Sequence, residues 1–152
     1  MPLESHWFTK NLHKIQRQEL NLLTATVKVA LYSNVGATYR PDRAVVEFMA
    51  GLANEVTNVG ATTGYARKAS GTVTTTIDGT GRIVFDCPNI LWTGINTNED
   101  IAYAVFYVEI TNDADSLVVS YLEGLELQTN GSNITLDMPA GGFGVVDPNP
   151  PV

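Results

Sequence analysis

Cysteine is almost missing from this chain: Cys87 stands alone among 152 residues. An intramolecular disulfide is therefore excluded, as is a cysteine-built metal cluster, and folding in a reducing cytosol is expected. Histidine is nearly as scarce, with only His6 and His13. Positive charge is short too. Nine lysines and arginines face sixteen aspartates and glutamates, which gives a formal charge of −7. That balance repels the phosphates of nucleic acid and an anionic membrane surface, so neither is expected as a partner. No apolar run approaches the roughly 20 residues that span a bilayer. Glu4, His6 and Lys10 interrupt the apolar stretch that a signal peptide needs, so none is expected. At 44% hydrophobic and 16% charged, the composition is that of neither a disordered tail nor a long solvated helix. What is left is a single soluble domain, long enough to bury roughly 70% of its unfolded surface.

Residues 1–20 carry the helical signal. Ser5 is a candidate cap, and Phe8, Leu12 and Ile15 follow at offsets of four and three, building one apolar stripe with Trp7 beside it. Lys14 and Arg17 near the end suit the helix dipole. Two uses of the stripe are open. It can cover an open face of the protein's own sheet, or it can dock on a partner, with Trp7, Phe8, Leu12 and Ile15 as the contact residues.

From Leu22 onward the period is two. Val27, Val29 and Leu31 alternate with Thr26, Lys28 and Ala30, the pattern of a half-buried strand. Residues 33–43 form a polar loop, and Ala44–Asn54 a short helix or compact turn. Thr72–Ile77 and Arg82–Cys87 flank Asp78-Gly79, a hairpin signal. Ile90–Trp92 is a short apolar strand. Ile101–Ile110 is apolar on both faces, which places it centrally in a sheet. Leu117–Leu122 is another strand, and Leu125–Thr129 is expected to pair with Asn133–Met138 across Asn130-Gly131. The Pro-rich stretch 141–152 is expected as an extended tail outside any ladder. Seven or eight short strands joined by turns predict a mainly β fold. The expected form is an antiparallel β-sandwich or open, jelly-roll-like barrel over residues 21–140, with an N-terminal helix.

Catalysis needs a nucleophile, a base and a stabiliser that converge, and this inventory is thin. On one helix His6 and His13 would sit two turns apart, too far to share a metal ion without other ligands. Cys87, before Pro88, has no neighbouring base to activate it. Glu99, Asp100, Asp113 and Asp115 sit among asparagines, yet lack the spacing of a calcium loop. Glu123 and Glu126 flank Gly124, and a regular strand would point them to opposite faces. Gly60 to Gly64 lacks the lysine and hydroxyl residue of a P-loop. No enzyme activity, metal or cofactor is expected.

The landmarks occur in a telling order. A strand Val27-Lys-Val-Ala-Leu-Tyr32 is followed by Ala53-Asn-Glu-Val56, then Gly64-Tyr-Ala-Arg67. Phe85-Asp86 and Trp92 come next, then Ala102-Tyr-Ala-Val-Phe-Tyr107, and last Ser116-Leu-Val-Val-Ser-Tyr121. Over residues 8 to 138 this order and spacing resembles a family of small structural proteins of tailed-bacteriophage virions. The chain departs from the family pattern at Arg67-Lys68, where further glycines are common, and in its Pro-rich tail. The resemblance implies a virion protein made in the host bacterial cytoplasm, first a capsid decoration or cement protein, next a tail, neck or fibre component. The implied partners are the major capsid protein or other virion subunits. Open sheet edges and this setting also imply a homo-oligomer, a trimer if it caps a three-fold shell position. A receptor- or carbohydrate-binding β module is the alternative, with Tyr39, Tyr65 and Trp92 as its candidate aromatics.

Overall fold

The computed structural model describes residues 2–34, 40–56, 65–95 and 100–148. Among the described residues strand makes up 41% and helix 8%, so the fold is mainly β and antiparallel. A five-stranded sheet forms the centre, built from β1 (Glu4–Trp7), β2 (Val27–Ser33), β3 (Lys68–Ala69), β7 (Asp100–Val108) and β8 (Leu117–Gln128) in the order β1-β8-β7-β2-β3. A three-stranded sheet has the order β10-β5-β4, from β4 (Thr74–Ile77), β5 (Ile83–Asp86) and β10 (Gly144–Val146). Strands β6 (Ile90–Trp92) and β9 (Ile134–Leu136) pair with each other. One helix, α1 (Thr9–Gln16), follows β1.

The central sheet is apolar on both faces, as the doubly apolar β7 requires. Val29, Leu31, Ala104 and Phe106 join one core with Trp92, Ile134, Leu136 and Phe143 of the smaller sheets. Phe106 and Phe143 stack at 4.6 Å across that interior. On the opposite face Ala30, Tyr32, Tyr103, Val105 and Tyr121 form a second core with Phe8 and Met49. The result is a sandwich-like packing, with the helix and a 3-10 turn (Met49–Gly51) over the outer face.

Three expectations are corrected. The first is the N-terminal helix, which is shorter than expected. Ser5, expected to cap it, lies in β1 opposite Leu122, and the helix starts only after Phe8. The exposed edge of β8 takes a strand partner, and ladder pairing overrides the local helical pattern. The second is the expected hairpin of residues 125–138. Leu125–Gln128 instead prolongs β8 along β7, with Ile101 opposite Leu127. The turn at Asn130-Gly131 survives (Gly131 φ 88°), but it leads into β9, which pairs with β6. The third is the tail. Gly144–Val146 pairs with β5, so the domain continues past residue 140. The 149–152 end of that stretch, with Tyr39 and Gly60 to Gly64, lies outside the described residues.

The Asp78-Gly79 hairpin forms as expected: Asp78 N–H donates to the Arg82 carbonyl at 3.0 Å, and its carboxylate accepts from the N–H groups of Thr80 and Arg82. Asn11 pins α1 to the sheet. Fully buried, its Nδ2 donates to the carbonyls of Glu47 and Val118, both at 2.7 Å.

Candidate functional site

Three of the sequence landmarks converge at the outer edge of β2. The Asn-Glu-Val segment runs beside that edge: Ser33 N–H donates to the Asn54 carbonyl and Val56 N–H to the Leu31 carbonyl, both at 2.9 Å. The chain returns at Tyr65, whose hydroxyl accepts from Leu31 N–H at 3.1 Å and donates to Glu55 Oε1 at 2.7 Å. Arg67 then grips Glu55 through Nε (2.7 Å) and Nη2 (2.6 Å), and Asp113 through Nη1 (2.5 Å) and Nη2 (2.8 Å). Its guanidinium lies 5.5 Å from the Tyr107 ring centroid, within cation–π range. Trp92, fully buried, donates from Nε1 to the Ala66 carbonyl at 2.9 Å.

The contacts of this node shift three of its titrating groups. Burial and the Glu55 carboxylate push the Tyr65 phenol far up, so it does not ionise at neutral pH. The hydrogen bonds it donates to Glu55 and Asp113 raise Arg67 further. The Arg67 pair in turn holds Asp113 below the usual carboxylate range. Each of these three shifts favours the protonation state that the hydrogen bonds use.

A second feature is a cleft of about 440 Å³ where β8 bulges. Between the pairs Ile101–Leu127 and Tyr103–Glu123, residues Gly124, Leu125 and Glu126 stand opposite Ala102 alone. Gly124 (φ 92°) and Glu126 (φ 45°) take left-handed backbone there. The extra residues change the strand alternation, so Glu123 and Glu126 line the same cleft with Asp100, Tyr103 and Gln128. Glu123 is already paired, to Arg40 Nη2 at 2.9 Å, and its carboxylate lies 3.0 Å from His6 Nε2. Three carboxylates, Asp100, Glu123 and Glu126, therefore stand among its lining residues. Among the described residues, no group of three His, Cys, Asp or Glu side chains is placed to share a metal ion.

No family model, curated protein or solved structure matches this chain.

The residues expected at a partner contact are divided between the two cores. Trp7 is half-buried, donates from Nε1 to the Val145 carbonyl at 2.7 Å, and meets Phe85 edge-on at 5.4 Å. Phe8 is fully buried against Tyr121. Ile15 packs on the opposite core from Phe8, and Leu12 is half-buried. They do not form one uncovered stripe. Extended backbone at residues 7 and 8 turns consecutive side chains to opposite faces. His6 and His13 do not share a helix either, since His6 lies in β1 and His13 is exposed on α1. Of the aromatics named for a binding loop, Tyr65 and Trp92 are buried. Glu99 lies outside the described residues. The Arg67 node itself was visible only as two separate short motifs, since nothing in the sequence pairs Arg67 with Asp113.

Proposed function

We propose that this chain is a non-enzymatic structural protein of a tailed-bacteriophage virion, acting as a decoration or cement subunit on the head shell. The observation that carries this reading is how the resembling residues are used. Glu55, Tyr65 and Trp92 join β2, the segment after it and the smaller sheets into one rigid body, as a protein that works by shape and contact requires. Acidic charge supports the same reading, because it limits binding to packaged DNA. The partners are the major capsid protein or neighbouring virion subunits, together with further copies of this chain.

Mass-spectrometric stoichiometry of purified particles tests the proposal. A decoration protein is present at a copy number on the scale of the shell subunit. Absence from the particle overturns the reading. A few copies per particle would favour a tail, neck or fibre role, and the carboxylate-lined cleft beside Glu123 and Glu126 would then be the place to test for a carbohydrate receptor.

A further inference from the structure

Sheet edges attract other strands, and this fold guards most of its edges. On the outside of β10 the Trp7 indole caps the Val145 carbonyl. Strand β1 carries Glu4 and His6. Strand β3 is two residues long and includes Lys68. Strands β6 and β9 are three residues each, with the Asn89 side chain bridging to Asp137 and to the Met138 N–H.

Strand β4 lacks all of these guards. Thr74, Thr75, Thr76 and Ile77 are all exposed, Ile77 by 76%, and β4 is the outermost strand of its sheet. Every one of these side chains is β-branched and none is ionisable, the composition that favours strand pairing. The direction of the free backbone groups follows from the turn. Asp78 and Arg82 form a bonded pair there, so alternation assigns Thr76–Val84 and Thr74–Asp86 to bonded pairs as well. The N–H and C=O groups of Thr75 and Ile77 then point away from β5.

We propose that β4 is a strand-addition surface whose occupant is β4 of a second copy of this chain, paired antiparallel about a two-fold axis. With Thr76 facing its own counterpart on the axis, Thr75 of each copy lies opposite Ile77 of the other. That register closes about four N–H···O=C bonds and covers both Ile77 side chains. A second copy fits because the register is self-complementary and charge at this strip does not oppose it. The chain carries −7 overall, but this strip has no ionisable side chain. The adjoining Asp78 is neutralised by Arg82, with Nε and Nη2 both 2.8 Å from Oδ2. An antiparallel edge pairing closes at two copies, so it forms a dimer rather than the three-fold ring expected at a shell three-fold position.

The pairing stands independently of the virion reading, and its test uses only the purified chain. Sedimentation velocity over a dilution series should show the wild type passing from monomer to dimer as concentration rises. Thr75→Pro removes one outward N–H and leaves the β5 ladder intact, so this variant should stay monomeric at every concentration with an unchanged thermal midpoint. Ile77→Lys, at an exposed position, should do the same by adding an edge charge. A wild type that stays monomeric throughout overturns the proposal, and that is also the result if β4 serves a foreign strand. A dimer that survives both substitutions overturns it equally.

Discussion

Glu55 and Arg67, twelve positions apart in the chain, meet through two hydrogen bonds, Nε to Oε1 at 2.7 Å and Nη2 to Oε2 at 2.6 Å. The contact closes the excursion that leaves β2 at Glu55 and returns to it at Tyr65. Its other half, Arg67 to Asp113, ties that excursion to the turn between β7 and β8. One side chain therefore joins three segments that have no ladder in common.

Removing that side chain should cost stability rather than any activity. Arg67→Ala leaves the Glu55 and Asp113 carboxylates without their donor and uncovers Tyr107, a loss of about 2–3 kcal/mol. Glu55→Gln keeps the shape and one acceptor, and should lose about 1–2 kcal/mol. Urea denaturation at neutral pH measures both. A change within about 0.5 kcal/mol for Arg67→Ala, the size of an ordinary surface substitution, would show that the node holds nothing.

The central sheet was legible because its signal is carried by periodicity. The two-residue alternation of Val27 to Leu31 and the doubly apolar Ala102 to Val108 name their own neighbours, and both strands sit where that pattern places them. The failures share one cause: pairing partners are chosen at long range. Residues 4–7 look like the start of a helix, yet they pair with β8 some 115 residues away (Trp7 with Ser120). Asn130-Gly131 specifies a turn but not which strands it joins. Val145 and Val146 form a ladder because Val84 and Ile83 offer an edge, which the prolines after them cannot announce. The cleft was hidden for the same reason, since a bulge at Gly124 inverts the face assigned to Glu126.

Phe8 tests whether the N-terminal segment belongs to the core. Fully buried against Tyr121, it should cost about 3–5 kcal/mol on replacement by Ala. Deleting residues 1–18 removes β1 and α1 together, taking the ladder partner from β8 and the Asn11 pin from its carbonyls. The truncated chain should lose its native circular dichroism and precipitate or elute as aggregate. A truncated protein that stays folded and monomeric would mean that the segment is an appendage.

Glycine substitutions separate close packing from open turns. At Gly142 (φ 58°) an added Cβ would lie 2.0 Å from the Phe85 carbonyl oxygen, and at Gly144 it would lie 2.3 Å from the Trp7 ring. Gly142→Ala meets backbone that cannot yield and should destabilise by about 3 kcal/mol or more. Gly144→Ala must displace Trp7 from the β10 edge and should also reduce the protection of the Val145 region in hydrogen exchange. Gly79 has nothing within 4 Å and no left-handed backbone, so Gly79→Ala should be neutral to slightly stabilising. Thermal melts rank the three. Equal losses at Gly79 and Gly142 would contradict the packing.

Stability should be greatest on a plateau near neutral pH and fall on both sides for different groups. On the acid side Arg67 holds Asp113, and Lys14 holds Glu47, below the ordinary carboxylate range. The unfolded chain binds protons there first, at values near 4, so stability rises with pH through that interval and is complete above about pH 5. Both carboxylates are partly exposed, and each contributes under about 1 kcal/mol. On the alkaline side the sign reverses. Burial, with Asp86 nearby, pushes the Cys87 thiol up to about 12, and burial also raises Tyr65. The unfolded chain releases these protons first, from about pH 8.5 for the thiol and 10 for the phenol, so stability falls as pH rises beyond 9 or so. Urea midpoints across this range should trace the plateau and both limbs. Cys87→Val should flatten the first part of the alkaline limb, and native Cys87 should resist a thiol reagent that labels it at once in urea. Rapid labelling of the folded protein at neutral pH, or a midpoint that keeps rising above pH 9, would contradict the buried, neutral thiol.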